Sequence, residues 1–313
     1  MSNFVVRRLL SVIPIALIVL VTVFLLLHIG PGDPAALIAG ENATPDQIES
    51  IRERLFLDRP LYEQLFLYLS SVARLDLGQS VYSGFPVVDL ILQRVEPTAV
   101  LALSTLTLSV LIAVPMGVWG AWRAGSAVDT LLIVASVVGF SVPVFVIGYI
   151  LVDLFALRAG WLPVQGYKPL SSGLLNCLRS ITLPSITLAF LFSALVARIT
   201  RATMLEVLAE DYIRTARAKG AGNARILLVH ALKNIGVPVV TVIGTSFAAL
   251  LGGVVITESV FNIPGMGRLT VDAILTRDYP VVQGVLIVFS FVLIAVNLLV
   301  DLSYALFDPR VRQ

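Results

Sequence analysis

Metal and disulfide chemistry have almost nothing to work with in this sequence, which holds one cysteine, Cys177, and two histidines, His28 and His230, in 313 residues. A lone cysteine closes no internal disulfide and leaves the redox compartment open. The two histidines are far apart in the chain and fall on opposite faces of the membrane in the topology below, so they share no metal. No stretch reads Gly-x-x-x-x-Gly-Lys-Ser/Thr, the loop whose backbone N–H groups cradle nucleotide phosphates. Charge is scarce as well. Asp, Glu, Lys and Arg make up 13% of the residues against 58% hydrophobic ones, with a mean hydropathy of +0.94. A soluble domain carries about twice that charge.

What the chain does have is apolar length. A spanning helix needs about 20 mostly apolar residues, and six runs fit: 9–29, 98–119, 131–157, 181–196, 237–255 and 281–304. The only other spanning structure, a closed β-barrel, alternates apolar and polar residues over short segments, and these runs do not. The expectation is an all-α membrane protein with six transmembrane helices in one domain over residues 1–313. Arg7 and Arg8 precede a first run too long for a signal-peptide core, and Gly30-Pro31-Gly32-Asp33-Pro34 is a poor cleavage site.

Six crossings put both termini on one side. Loops longer than about 60 residues cross largely regardless of charge, so the segment 30–97 is set aside. The termini with the even-numbered connections then carry 12 Lys and Arg against 5 on the other side. Termini in the cytoplasm are expected. Segment 30–97 carries ten acidic residues, as an exported face can. Within it Thr44-Pro45-Asp46-Gln47 reads as a capping box that starts a helix through Ile48, Ile51 and Leu55. Leu61, Leu65 and Leu69, with Tyr62, Phe66 and Tyr68, form a second apolar stripe, suited to packing or to docking. Residues 87–95 run into Pro97 and the second span and read as an interfacial lead-in helix.

Some polar residues sit inside or at the rim of the runs, where a charge normally faces protein or water. Asn297 and Asp301 share a helical face, and Asp153 lies near the outer end of the third run. Neither acid has a matching intramembrane base in the sequence. Pro115, Pro143 and Pro184 interrupt spans, where helices can bend. A secondary transporter built on paired broken helices finds no repeat here, and a membrane hydrolase finds no clustered acid pair or His/Ser set.

A basic island at 198–236 separates the fourth and fifth runs, with Arg198, Arg201, Arg214, Arg217, Lys219, Arg225 and Lys233. It is too short and interrupted for nucleic acid, and its charge alone is what an inner loop carries. Its shape says more. Residues 200–218 read as a helix continuing out of the fourth span, broken by Gly220-Ala221-Gly222. Residues 224–232 restart a helix with Asn223 as its cap. A short helix held crosswise between two spans is a lever.

Six motifs in order bring a family into view. They are Arg7-Arg8-Leu-Leu-Ser-Val-Ile-Pro14 with His28-Ile-Gly-Pro-Gly-Asp-Pro34, Leu57-Asp-Arg-Pro-Leu-Tyr-Glu-Gln64, and Leu75-Asp-Leu-Gly-Gln-Ser80. The basic island follows, then Glu258-Ser-Val-Phe-Asn-Ile-Pro-Gly-Met-Gly267, and last Arg277-Asp-Tyr-Pro280 with Asn297-Leu-Leu-Val-Asp301 and Asp308-Pro-Arg310. Over essentially its whole length the chain resembles the B-type permease subunit of the dipeptide/oligopeptide/nickel ABC importers. Setting the glycine of the broad importer-loop motif on Gly220 puts Arg214-Thr215-Ala216 in place of Glu-Ala-Ala. The closing proline falls late, at Pro238. Both departures resemble the peptide/nickel branch.

The resemblance implies a type I ABC importer fold, with a short-helix extracytoplasmic segment between helices 1 and 2. It implies alternating access in a bacterial inner membrane, for peptides or else for nickel chelates, glutathione or another small solute. The partners it implies are the lipid bilayer, a homologous second permease, two ABC ATPase subunits and an extracytoplasmic substrate-binding protein. ATP and Mg would belong to those ATPases, leaving this chain without a cofactor and without catalysis. The expected ATPase-coupling residues are Thr215, Ala216, Lys219, Gly220, Ala221, Gly222, Asn223 and Arg225. A turn after the fifth span and a short helix at 269–275 place a folded element at the outer mouth. Glu258, Phe261, Pro264, Gly265 and Gly267 are its expected gate or binding-protein dock.

Overall fold

The computed structural model of the chain describes residues 2–29, 33–40 and 43–307. Residues 30–32 and 308–310 of the sequence motifs, with Arg312, lie outside the described residues. The architecture is all-α. Among the described residues the sole departure is one β-bridge between Gln79 and Pro86. Five helices are long and apolar enough to cross a membrane: α1 (Ser2–Ile29), α5 (Val87–Trp122), α8 (Leu174–Ala209), α11 (Gly236–Val260) and α13 (Tyr279–Phe307). A sixth crossing is made by α6 (Ala127–Ser141) and α7 (Val144–Leu151), the latter running on in π-helical turns over Val152–Arg158.

That sixth crossing carries the interruption expected at Pro143 within the run 131–157. The two halves meet at a bend of 102°. Proline has no N–H, and its ring pushes the preceding residue out of the α region. Val142 accordingly adopts φ −86° and ψ 125° before Pro143 starts α7. The other prolines do not break their helices. Pro97 and Pro184 are buried inside α5 and α8, which pack along each other over much of their length. Residues 87–95 accordingly lead into the second span, as the first turns of α5.

Short helices form the segment between α1 and α5: α2 (Pro34–Ala39), α3 (Pro45–Arg54) and α4 (Leu61–Ala73). The capping box is present, with the Thr44 side chain accepting from the Gln47 N–H and the Gln47 side chain accepting from the Thr44 N–H. The apolar stripe of α4 divides. Gln64 is buried and Tyr68 half-buried, while Tyr62 and Phe66 are each 71% exposed.

The connections alternate ends, as six crossings require. At one end, here the acidic end, the segment before α5, the 159–173 loop and the 261–278 turn meet. Tyr167 Oη donates to Glu96 at 2.9 Å, Gly166 N donates to the Phe261 carbonyl at 2.8 Å, and Ser80 Oγ donates to Asp278 at 2.5 Å. At the other, basic end, α9 (Asp211–Ala218) lies beside the end of α5 and is followed by α10 (Asn223–Arg225). The core joins α5, α8 and α11 through Leu101, Leu188, Phe192, Leu250 and Val254, capped by Phe261 and Ile263.

Candidate functional site

At the basic end the chain leaves α8 through Glu210, whose extended ψ of 148° ends the helix. The expected single helix over 200–218 is thus two, α8 and α9, with a corner between them. Asn223 is not the expected cap either. Gly222 holds the N-cap position without a side-chain bond, and Asn223 is the first helical residue of α10. The helix then runs on in π geometry over Ile226–Ala231.

This connection is fastened to the bundle at several points. Ile213, Ile226 and Ala231 are fully buried. The Arg217 guanidinium lies over the Trp122 ring at the end of α5, 5.9 Å from its centroid. Asn234 Nδ2 donates to Tyr212 Oη at 2.6 Å, tying α9 to the approach of α11. The coupling candidates face away from these anchors. Thr215, Lys219, Gly220, Gly222, Asn223 and Arg225 are exposed, and Ala216 and Ala221 are half-buried between them. Gly220 has φ +81°, in the left-handed region where a side chain is strained. Gly222 is not so constrained, and a Cβ there would meet open space. Leu228 and Val229, 65% and 57% exposed, extend the same surface with apolar side chains that the helical reading passed over.

At the acidic end the gate candidates separate. Glu258, on the last turns of α11, is fully buried. Its Oε1 accepts from Thr98 Oγ1 of α5 at 2.6 Å, and its Oε2 accepts from the Arg268 N–H at 2.9 Å. Gly267 lies close against the same carboxylate, where a Cβ would sit 3.0 Å from Glu258 Oε2. Thr98 Oγ1 in turn accepts from the Met266 N–H at 2.8 Å. The carboxylate therefore caps the first turn of α12 (Met266–Leu275), where free N–H groups and the helix dipole favour an anion. Gly265 is required by contact: a Cβ there would sit 2.0 Å from Glu258 Oε1. Phe261 is 2% exposed, with its ring against Gly148 of α7. Pro264 stands apart, exposed at the turn tip beside Asn262, whose Oδ1 accepts from the Arg268 guanidinium.

Three ion pairs were not foreseen from sequence. Asp129, near the start of α6, accepts two hydrogen bonds from Arg201 of α8, at 2.5 and 2.7 Å. The Gly125 N–H donates to the same carboxylate. Asp153 and Asp301, without a matching base inside the apolar runs, each pair with an arginine just beyond a run's end. Arg158 pairs with Asp153 at 2.7 Å one turn on, and Arg8 of α1 pairs with Asp301 of α13 at 3.0 Å. A second junction does carry a sequence signal. Asp278 accepts from Ser80 Oγ and from the Val81 N–H, so two of the six motifs meet in space. No group of three or more potential metal ligands occurs among the described residues.

Comparison with known proteins accords with this geometry. Residues 113–313 match the family described as binding-protein-dependent transport system inner membrane component, and residues 1–103 match its N-terminal counterpart. A probable peptide ABC transporter permease protein of Sinorhizobium fredii is 52% identical over 312 residues, covering 100% of both chains. A glutathione transport system permease protein of Escherichia coli (strain K12) is 43% identical over 313 residues, covering 100% of this chain and 99% of the relative. Among solved structures, a chain of the inward-facing MetNI methionine ABC transporter superposes with a TM-score of 0.57 at 16% identity, over 70% of this chain and 96% of that one. This likeness gives the fold, that of a type I importer permease.

Proposed function

The chain belongs to the inner membrane components of binding-protein-dependent transport systems, and on that premise we propose that it forms half of the translocation pathway of an ATP-driven peptide importer. It is the transport subunit of that machine. A homologous second permease supplies the other half, and an extracytoplasmic binding protein delivers solute to the acidic end. Two separate ATPase subunits hydrolyse ATP with their own Mg, since this chain has no phosphate-binding loop. Both termini lie in the cytoplasm, as 12 Lys and Arg against 5 favour once the long acidic segment is discounted.

One observation carries the coupling role. The connection α9–α10 is clamped to the end of α5 by Arg217 on Trp122 and to the approach of α11 by Tyr212 and Asn234, yet Thr215 to Arg225 present an exposed face. A push on that face reaches three spanning helices. Closure of the ATPases drives it, and the bundle alternates between outward and inward openings. At the far end Glu258 and Phe261 hold α12 as a rigid gate element, with Gly265 and Gly267 fitted round the carboxylate and Pro264 at its exposed tip.

Peptide is the favoured solute because the Sinorhizobium relative is named for it at 52% identity. Glutathione, itself a tripeptide, is the second reading, from the Escherichia coli relative. Reconstitution with the partner permease, the ATPases and the binding protein tests both. Uptake of radiolabelled di- and tripeptides should require ATP and binding protein. An assembled complex that imports neither peptide nor glutathione refutes the reading.

A further inference from the structure

Beside the break at Val142–Pro143, a cavity of about 250 Å³ opens between α5, α6 and α8. Met116, Leu132, Val137 and Phe140 give it an apolar wall, and Ser136, Ser141, Arg198 and Arg201 are its polar groups. The two arginines, nearly one turn apart on α8, differ in a way that matters. Arg201 is neutralised by Asp129, whose carboxylate takes both of its bonds. Arg198 is exposed to the cavity and has no acid within ion-pair distance among the described residues. The cavity therefore carries one uncompensated positive charge. Ser136 and Ser141 donate their protons to the Leu132 and Val137 carbonyls, at 2.8 Å each, and so meet the cavity as acceptors.

The helix break decides what fills this space. Backbone outside a helix is tolerated at membrane depth where protein buries it or a water-filled cavity bathes it, not where lipid tails meet it. Arg198 lies toward the basic end of α8, just past the apolar run 181–196, where a guanidinium faces protein or water rather than lipid tails. An apolar wall, one free guanidinium and hydroxyl acceptors suit a solute with an apolar side chain, a carboxylate and N–H donors. A peptide has all three.

We propose that this cavity is a solute station on the translocation pathway, where Arg198 binds the terminal carboxylate of the passing peptide. The proposal rests on the peptide reading above and adds the group that is recognised.

Equilibrium binding to the whole importer complex tests it, measured in nanodiscs without the binding protein. The probes are a radiolabelled dipeptide as the free acid and the same dipeptide as its C-terminal amide. Wild type should prefer the acid by about tenfold, the scale of one charge-assisted hydrogen bond. Arg198→Gln should erase the preference, and Arg198→Lys should restore most of it. Equal binding of acid and amide by wild type overturns the proposal, as does a preference that survives Arg198→Gln. A second arm compares phosphatidylcholine nanodiscs with others containing phosphatidylglycerol. If Arg198→Gln changes only the retention of the anionic lipid, Arg198 is a headgroup clamp and the proposal fails. The uptake assay judges the peptide reading separately. Should it favour glutathione, glutathione and its diester replace the two peptide probes, with the same outcomes.

Discussion

The Thr98 hydroxyl on α5 and the Glu258 carboxylate on α11 meet at 2.6 Å across 160 residues of sequence, and the Met266 N–H of α12 donates to the same hydroxyl. Three helices are joined at one point without a cation in the bond set. The carboxylate is held by a hydroxyl and by the Arg268 backbone N–H, which is how a helix N-terminus accommodates a buried anion.

Thr98→Val removes both the proton given to Glu258 and the acceptor for Met266. Leaving buried polar groups unpaired costs about 1–3 kcal/mol. The detergent-solubilised complex should show a lower unfolding midpoint. Gly265→Ala should be worse, because its Cβ would lie 2.0 Å from Glu258 Oε1. Equal midpoints for Gly265→Ala and wild type would show that α12 is not fitted round the carboxylate.

Phe261→Ala empties the site against Gly148 at the top of the core. Truncations of this kind cost about 3–5 kcal/mol. If the gate reading holds, the loss also appears as basal ATPase activity that no longer responds to loaded binding protein. Full stimulation with full uptake would reduce the α11–α12 turn to a cap on the bundle.

Gly220→Leu and Gly222→Leu separate backbone strain from surface fit. Gly220 has φ +81°, so a side chain there costs about 1 kcal/mol, whereas Gly222 has room for one. Both variants should insert normally, and both should lose uptake because leucine obstructs the ATPase groove. Normal ATPase association and wild-type uptake in Gly222→Leu would remove that residue from the coupling surface.

Asp129→Ala leaves Arg201 without its counter-charge between α6 and α8. Breaking a buried pair from one side costs about 3–5 kcal/mol. The double variant Asp129→Leu with Arg201→Met should recover much of that loss, because the two residues act as a unit. The unfolding midpoints of the single and double variants decide it. Strict additivity would mean that the pair contributes nothing jointly.

Single cysteines in a Cys177→Ser background report the topology. Ser83→Cys should react with an impermeant maleimide in intact cells, and Ala218→Cys only after the membrane is opened. Both positions are exposed. Labelling of Ala218→Cys from outside would invert the assignment and detach α9 from the ATPases.

The class of protein, the number of crossings and the position of the basic connection were all legible in the amino-acid sequence, because each depends on local quantities. Apolar length makes a span, Lys and Arg density marks an end, and Thr44-Pro45-Asp46-Gln47 starts a helix wherever it occurs. The burial of Glu258 was not legible, since an acid near the end of an apolar run can equally reach water. The rest required contacts between residues remote in sequence. Composition alone could not say that Pro143 bends its span by 102° while Pro97 and Pro184 pass through intact helices. Whether a proline breaks a helix depends on what packs against it. Nor could charge counting separate Arg201 from Arg198, which differ only in that Asp129 reaches one of them from another helix. An ion pair is set by where two chains of carbon bring their ends, and only the packed bundle determines that.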